Sequence, residues 1–287
     1  MKESHIIQIT ETPRDAMQGL TRHIPATVKA EYINALLKVG FDKVDVGSFV
    51  SPKSVPQMAD TVEVFSLLIP GDSHSKIMVI VGNTRGGLHA TEYPQIEVIG
   101  FPYSISPTFL RRNLNTTPIA AWKTLQDLFS ICNDSGMQLQ VYLAMAFGNP
   151  YGDPWDDELV LREAIKLRSA GIKNLAFSDI TGEGTPESIG RLCSKLVDGL
   201  PSNDLSIHLH SSPHDWQPKV EAAWQAGIRN FEGALGGYGG CPMTGYELLG
   251  NLDTAKLVDW CNMMNIPCNI NESVLKEAKQ IALQVFG

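Results

Sequence analysis

The chain has 287 residues, 43% hydrophobic and 19% charged, with a formal net charge of −8. This balance provides a core and argues against disorder, and the acidic excess argues against a nucleic-acid partner, since proteins that track phosphates present basic surfaces. No apolar run reaches the roughly 20 residues of a membrane span, and the start, MKESHIIQIT, lacks a signal peptide's basic and apolar regions, so a cytoplasmic protein without a membrane partner is expected.

In chain order, strands are predicted at Ile6 to Thr10, Lys43 to Gly47, Ile77 to Val81, Ile96 to Gly100, Leu139 to Ala144, Asn174 to Ser178, Leu205 to His210 and Asn230 to Ala234. Helices fall between them, for instance at Thr27 to Val39, Pro118 to Asn133, Asp157 to Ser169 and Pro186 to Leu200, with two more at Asp253 to Met264 and Ser273 to Phe286. Pro118 and Pro186 suit a first helical turn, where a missing N–H costs nothing. Gly40, Gly136, Gly171 and Gly227 each stand where a helix stops in a left-handed residue before the next strand. Helices alternating with apolar strands imply parallel strands joined by crossovers. Eight such strands favour an α/β fold of the (β/α)8 TIM-barrel type, one domain over residues 1–287 closed by C-terminal helices.

In such a barrel the chemistry belongs at the C-terminal strand ends and the loops that follow. Arg14 and Asp15 follow the first strand, Asp45 lies in the second, Asn83 and Arg85 follow the third, and Asp179 closes the sixth. The seventh ends in Ile-His208-Leu-His210, where period-two alternation turns both imidazoles to one face. They suit a shared metal ion, and equally two hydrogen-bonded polar residues at a strand end, so spacing alone leaves both readings open. Asp15 offers an oxygen ligand across the mouth. Carboxylate, imidazole and water suit Mg²⁺, Mn²⁺ or Zn²⁺, with no thiolate cluster to impose zinc. Gly236-Gly-Tyr-Gly-Gly240 makes a mobile loop with Cys241 near its tip, and Asn251, beside Gly250, returns to the same rim. The other cysteines, Cys132, Cys193, Cys261 and Cys268, are sparse and read as reduced core or surface residues. His5, His23, His74, His89 and His214 have no partner spacing and read as surface residues. No GxGxxG, GxxxxGK[ST] or GxSxG motif supports nucleotide chemistry or serine hydrolysis.

Taken together, TPRDAMQ at Thr12 to Gln18, GSFVSPKSVPQM at Gly47 to Met58, Asn113-Leu-Asn115, DITGEGTP from Asp179, the His-x-His pair, GGYGGCP from Gly236 and Gly250-Asn251-Leu resemble the hydroxymethylglutaryl-CoA lyases almost end to end. The resemblance implies a divalent metal, Mg²⁺ or Mn²⁺ with Zn²⁺ admissible, held by Asp15, His208, His210 and Asn251. It implies catalytic roles for Arg14 at the thioester oxygen, for Asp15 or His208 as proton acceptor, and for Cys241 as a mobile acid. It places Gln18, Asp45, Ser48, Asn83, Asn113 and Asp179 towards a CoA-thioester substrate, and a homodimer is compatible with it. The implied reaction cleaves 3-hydroxy-3-methylglutaryl-CoA to acetyl-CoA and acetoacetate. An acyltransferase or 2-oxo-acid aldolase of the same superfamily, or a catalytically silent CoA-binding barrel, are the alternatives. Departures are Ala16 for the family's Gly, Asp45 for its Glu, Ser211-Ser212 for Asp-Thr, and FGNPYGDP from Phe147 where relatives carry Gly-Cys-Pro.

Overall fold

A computed structural model describes residues 6–240 and 249–287. In chain order the strands are β1 (Gln8–Glu11), β2 (Lys43–Ser48), β3 (Lys76–Ile80), β4 (Val98–Ser104), β5 (Gln138–Ala144), β6 (Asn174–Asp179), β7 (Leu205–Leu209) and β8 (Asn230–Gly233). Each is parallel to the next and β8 returns to β1, Gln8 opposite Asn230, so the sheet closes into a barrel. The helices are α1 (Pro13–Gln18), α2 (Ala26–Leu37), α3 (Thr61–Ser66), α4 (Thr84–Ala90), α5 (Pro107–Leu114), α6 (Pro118–Ser135), α7 (Asp157–Ser169), α8 (Pro186–Gly199), α9 (Trp216–Gln225), α10 (Thr254–Met263) and α11 (Glu272–Phe286). The expected (β/α)8 architecture is the observed one.

Local signals acted as predicted. Pro118 and Pro186 open α6 and α8 behind the caps Thr117 and Thr185. Gly40, Gly136, Gly171 and Gly227 have φ of 95°, 73°, 93° and 104°, which costs a residue with a Cβ considerably more. The clearest boundary difference is in the fourth strand, which runs on through Pro102 to Ser104. Its ladder with β3 ends at Ile80 opposite Gly100, and residues 101–104 pair only with β5. Lone pairing on one side is where a strand tolerates proline.

Most of the core lies between the strands and the surrounding helices, while Met78, Ile80, Val98, Tyr142 and Ala176 fill the barrel interior. α11 packs on α2, and Phe286 near its end stacks on Tyr238, ring centroids 4.3 Å apart. Among the described residues no helix is long and apolar enough to cross a membrane. His23, His74 and His214 are exposed, as expected, but His89 is half-buried with its ring 4.5 Å from that of Phe49. An imidazole's apolar face makes that packing favourable. His5 lies outside the described residues.

Candidate metal centre and active site

At the end of β1 the Thr12 hydroxyl and amide both donate to the Gly233 carbonyl, at 2.9 and 2.8 Å, which ties the turn to β8. Pro13 then starts α1, so Arg14 and Asp15 sit in a first turn at the barrel mouth. Ala16 lies within α1 and outside the positive-φ residues, which explains how a Cβ is tolerated there. At the end of β7 the alternation turns His208, and His210 just beyond the strand, inward, and Asn251 returns to bridge His210.

Asp15, His208 and His210 bring one potential ligand atom each to within 4.8 Å of one another, all buried. His208 Nε2 and His210 Nε2 stand 3.1 Å apart. Adjacent ligands on a small divalent ion at roughly 2.1 Å are separated by about 3 Å, so the pair fits a shared ion. Asn251 Nδ2 donates to Asp15 Oδ2 at 2.8 Å and to the Tyr238 carbonyl at 2.9 Å, while its Oδ1 is buried without a hydrogen-bond partner among the described residues. An orphaned buried acceptor in such a cluster calls for a ligand. Oxygen and imidazole donors without thiolate suit Mg²⁺, Mn²⁺ or Zn²⁺.

The electrostatics favour the same use. Burial pushes the Asp15 carboxyl up, but the Arg14 guanidinium and the two imidazoles outweigh it and hold it below the usual carboxylate range. Burial and the neighbouring His208 push His210 down to about 4, leaving a neutral imidazole with a free lone pair.

Arg14 lies over this cluster, gripped from beneath. Its Nε and Nη2 donate to Asp45 Oδ2 at 2.9 and 2.6 Å, and its Nη1 donates to Asp15 Oδ1 at 3.0 Å and Gln18 Oε1 at 2.9 Å. Asp45, one methylene shorter than the family's Glu, still reaches the arginine. Gln18 Nε2 completes the ring with Asp15 Oδ1 at 2.6 Å.

Above lies a cavity of about 360 Å³, walled among others by Arg14, Asp15, Gln18, Ser48, Asn83, Asn113, Arg112, Tyr142, Ser178, His208 and His210. Ser48, Asn83, Asn113 and Gln18 thus line it. Asp45 and Asp179 do not. Asp45 is fully buried under Arg14, and Asp179 accepts from Gly184 N at 3.0 Å and faces the buried Lys219 at 3.9 Å. Burial pushes both carboxyls up to about 6, against the pull of those cations. Asn83 also caps α4 through Gly86 N at 2.9 Å. In the divergent loop after β5, Asn149 holds Asp153, which receives the Thr108 amide at 3.0 Å and so braces α5. Cys241 lies outside the described residues.

The sequence reading missed two residues. Glu232 on β8 is fully buried with Oε2 3.4 Å from His208 Nδ1. Tyr142 on β5 sets its ring perpendicular to that of His208, centroids 6.1 Å apart. The available signal was a lone acid inside the apolar strand NFEG, where burial demands a partner.

The model of the HMGL-like family matches residues 5–281. An (R)-citramalyl-CoA lyase of Chloroflexus aurantiacus is 28% identical over 284 residues, 96% of this chain and 89% of its own length. A hydroxymethylglutaryl-CoA lyase of Bacillus subtilis is 29% identical over 270 residues, 94% of this chain and 89% of its own. A solved HMG-CoA lyase from Acinetobacter baumannii, in complex with coenzyme A and 3-methylmalate, superposes with a TM-score of 0.92 at 27% identity, covering 99% of this chain and 92% of that one.

Proposed function

Because the chain belongs to the HMGL-like family and is a carbon–carbon lyase, we propose that it cleaves 3-hydroxy-3-methylglutaryl-CoA to acetyl-CoA and acetoacetate. The observation that carries this reading is the convergence of Asp15, His208 and His210 on one point beneath an arginine that faces a cavity. The family depends on a divalent metal, and Asp15, His208, His210 and Asn251 would hold it. When bound, such an ion lowers the pKa of a coordinated hydroxyl and fixes its geometry.

The protein's own groups do the rest. Asp15, beside the proposed position of the tertiary hydroxyl, accepts its proton as the adjacent carbon–carbon bond breaks and a ketone forms. The electron pair of that bond passes to the carbon alpha to the thioester and delocalises onto the thioester oxygen, where Arg14 stabilises the enolate charge. Its grip on Asp45 and Gln18 prevents reorientation during the step. Cys241 gives its proton to the enolate carbon, releasing acetyl-CoA, and the proton on Asp15 returns to the thiolate through solvent.

A citramalyl thioester offers a second reading, motivated by the Chloroflexus relative at similar identity and by the departures at Asp45, Ser211 and the loop from Asn149. The same cleavage of that substrate yields pyruvate in place of acetoacetate. Incubating the protein with each thioester and identifying the keto acid tests the assignment. Acetoacetate formed at the higher kcat/KM supports it, and pyruvate formed preferentially overturns it in favour of the second reading.

A further inference from the structure

Glu232 is buried inside the barrel, where an acid needs a reason. Its Oε1 is committed, accepting from Gln140 Nε2 at 2.7 Å and Ser206 Oγ at 3.0 Å. The Gln140 amide is itself oriented, since its Oε1 receives the Lys43 ammonium. Glu232 Oε2 faces His208 Nδ1 at 3.4 Å, and among the described residues that nitrogen makes no other hydrogen bond. On the far edge of the ring, Nε2 faces His210 and the point where Asp15 converges. Tyr142 stands perpendicular to the imidazole and limits its rotation.

We propose that Glu232 is a positioning residue for the metal centre, keeping the His208 proton on Nδ1 so that the Nε2 lone pair is directed at the ion. An imidazole turned the other way would present an N–H to the ion and lose it as a ligand, and a carboxylate behind a ligating histidine both fixes the tautomer and raises its basicity. Gln140, Ser206 and Lys43 hold the carboxylate from the opposite end of the barrel. With Nδ1 engaged, His208 keeps no free nitrogen for proton transfer, which leaves that duty to Asp15.

This inference rests on the metal reading above, and its test separates the two. Mn²⁺ binding to the full chain is measured by the loss of the free-ion electron paramagnetic resonance signal, for wild type, Glu232→Gln, Glu232→Asp and Ser206→Ala. The Gln variant is expected to bind about 10- to 100-fold more weakly, with Asp recovering part of the loss. Should Glu232→Gln fail to fold, Ser206→Ala, which removes one donor holding the carboxylate, is expected to show a smaller loss in the same direction. Nitrogen-15 shifts of the diamagnetic Mg²⁺ form should show His208 protonated at Nδ1 in the wild type. Folded Glu232→Gln binding Mn²⁺ within about twofold of wild type, unchanged affinity in Ser206→Ala where the Gln variant is unfolded, or a proton on Nε2, would overturn the proposal. A wild type that takes up no Mn²⁺ would overturn the metal reading beneath it.

Discussion

Arg14 directs two nitrogens at a single oxygen of Asp45, Nε at 2.9 Å and Nη2 at 2.6 Å. The carboxylate is wholly buried and the guanidinium borders the cavity, so the pair works as an anchored cation with one edge held down and the other turned towards Asp15. A cation fixed in this way acts on charge that develops during reaction. Arg14→Met is therefore expected to lower kcat by roughly 10²- to 10³-fold or more with little change in KM. Steady-state kinetics check this, and a change confined to KM would make the arginine a substrate anchor instead.

The same pair predicts a stability effect separable from the kinetic one. Arg14→Met leaves the Asp45 carboxylate buried without its cation, a loss on the order of 3–5 kcal/mol when one partner of a buried pair is removed. Adding Asp45→Asn should restore much of the urea midpoint without restoring turnover. A double variant as unstable as the single one would show that the pair is not what holds this rim.

The sequence reading located the eight strands and the histidine pair because both depend on short-range rules, period-two alternation and glycine at helix ends. What it left out depends on distance in space. That Asp45 reaches Arg14 despite its shorter side chain is set by the backbone of α1 against β2, and that Asp179 turns to Lys219 instead of the cavity is set by α9. Glu232 and Tyr142 read as ordinary strand residues because the sequence does not say which face of β8 and β5 lines the barrel interior. Cys241 rests on sequence alone.

Gly239 gives the most local test of the rim. Its φ is 105°, and a Cβ there would meet Asn251 Nδ2 at 2.6 Å and the Asp15 carbonyl at 2.9 Å. Gly239→Ala is expected to push Asn251 off Asp15 and weaken metal binding and turnover together, with far-ultraviolet circular dichroism unchanged. Wild-type metal affinity in this variant would show that Asn251 contributes nothing there.

For Cys241 the approach is built from backbone that only glycine adopts readily, with φ of 84°, 70°, 105° and 130° at Gly236, Gly237, Gly239 and Gly240. Cys241→Ala should bind Mn²⁺ as wild type does and lose most turnover, since a thiol of unperturbed pKa near 8.5 carries its proton at neutral pH and can release it to a carbanion. Turnover near wild type would make the thiol incidental.

Glu11 predicts a pH dependence of stability. Its carboxyl is fully buried, accepting from Leu235 N at 2.8 Å and Thr254 Oγ1 at 2.7 Å, and burial pushes it up to about 8 despite those bonds. Between its ordinary value of 4.5 and about 8 the folded chain keeps this proton and the unfolded chain does not. Stability therefore falls as pH rises through that window and levels off above it. Glu11→Gln can accept from Leu235 N and donate to Thr254, so it should flatten this part of the profile. An unchanged slope in urea midpoints from pH 5 to 8 would show that Glu11 is not its source.

The most direct test of the account is to strip the protein of metal, add Mn²⁺ stepwise with 3-hydroxy-3-methylglutaryl-CoA present, and quantify acetyl-CoA and acetoacetate. Both products should be absent without metal, should appear in equal amounts as Mn²⁺ approaches one ion per chain, and should stay absent in His210→Ala at the same metal concentration. Cleavage by demonstrably metal-free protein, or full activity in His210→Ala, would contradict the account.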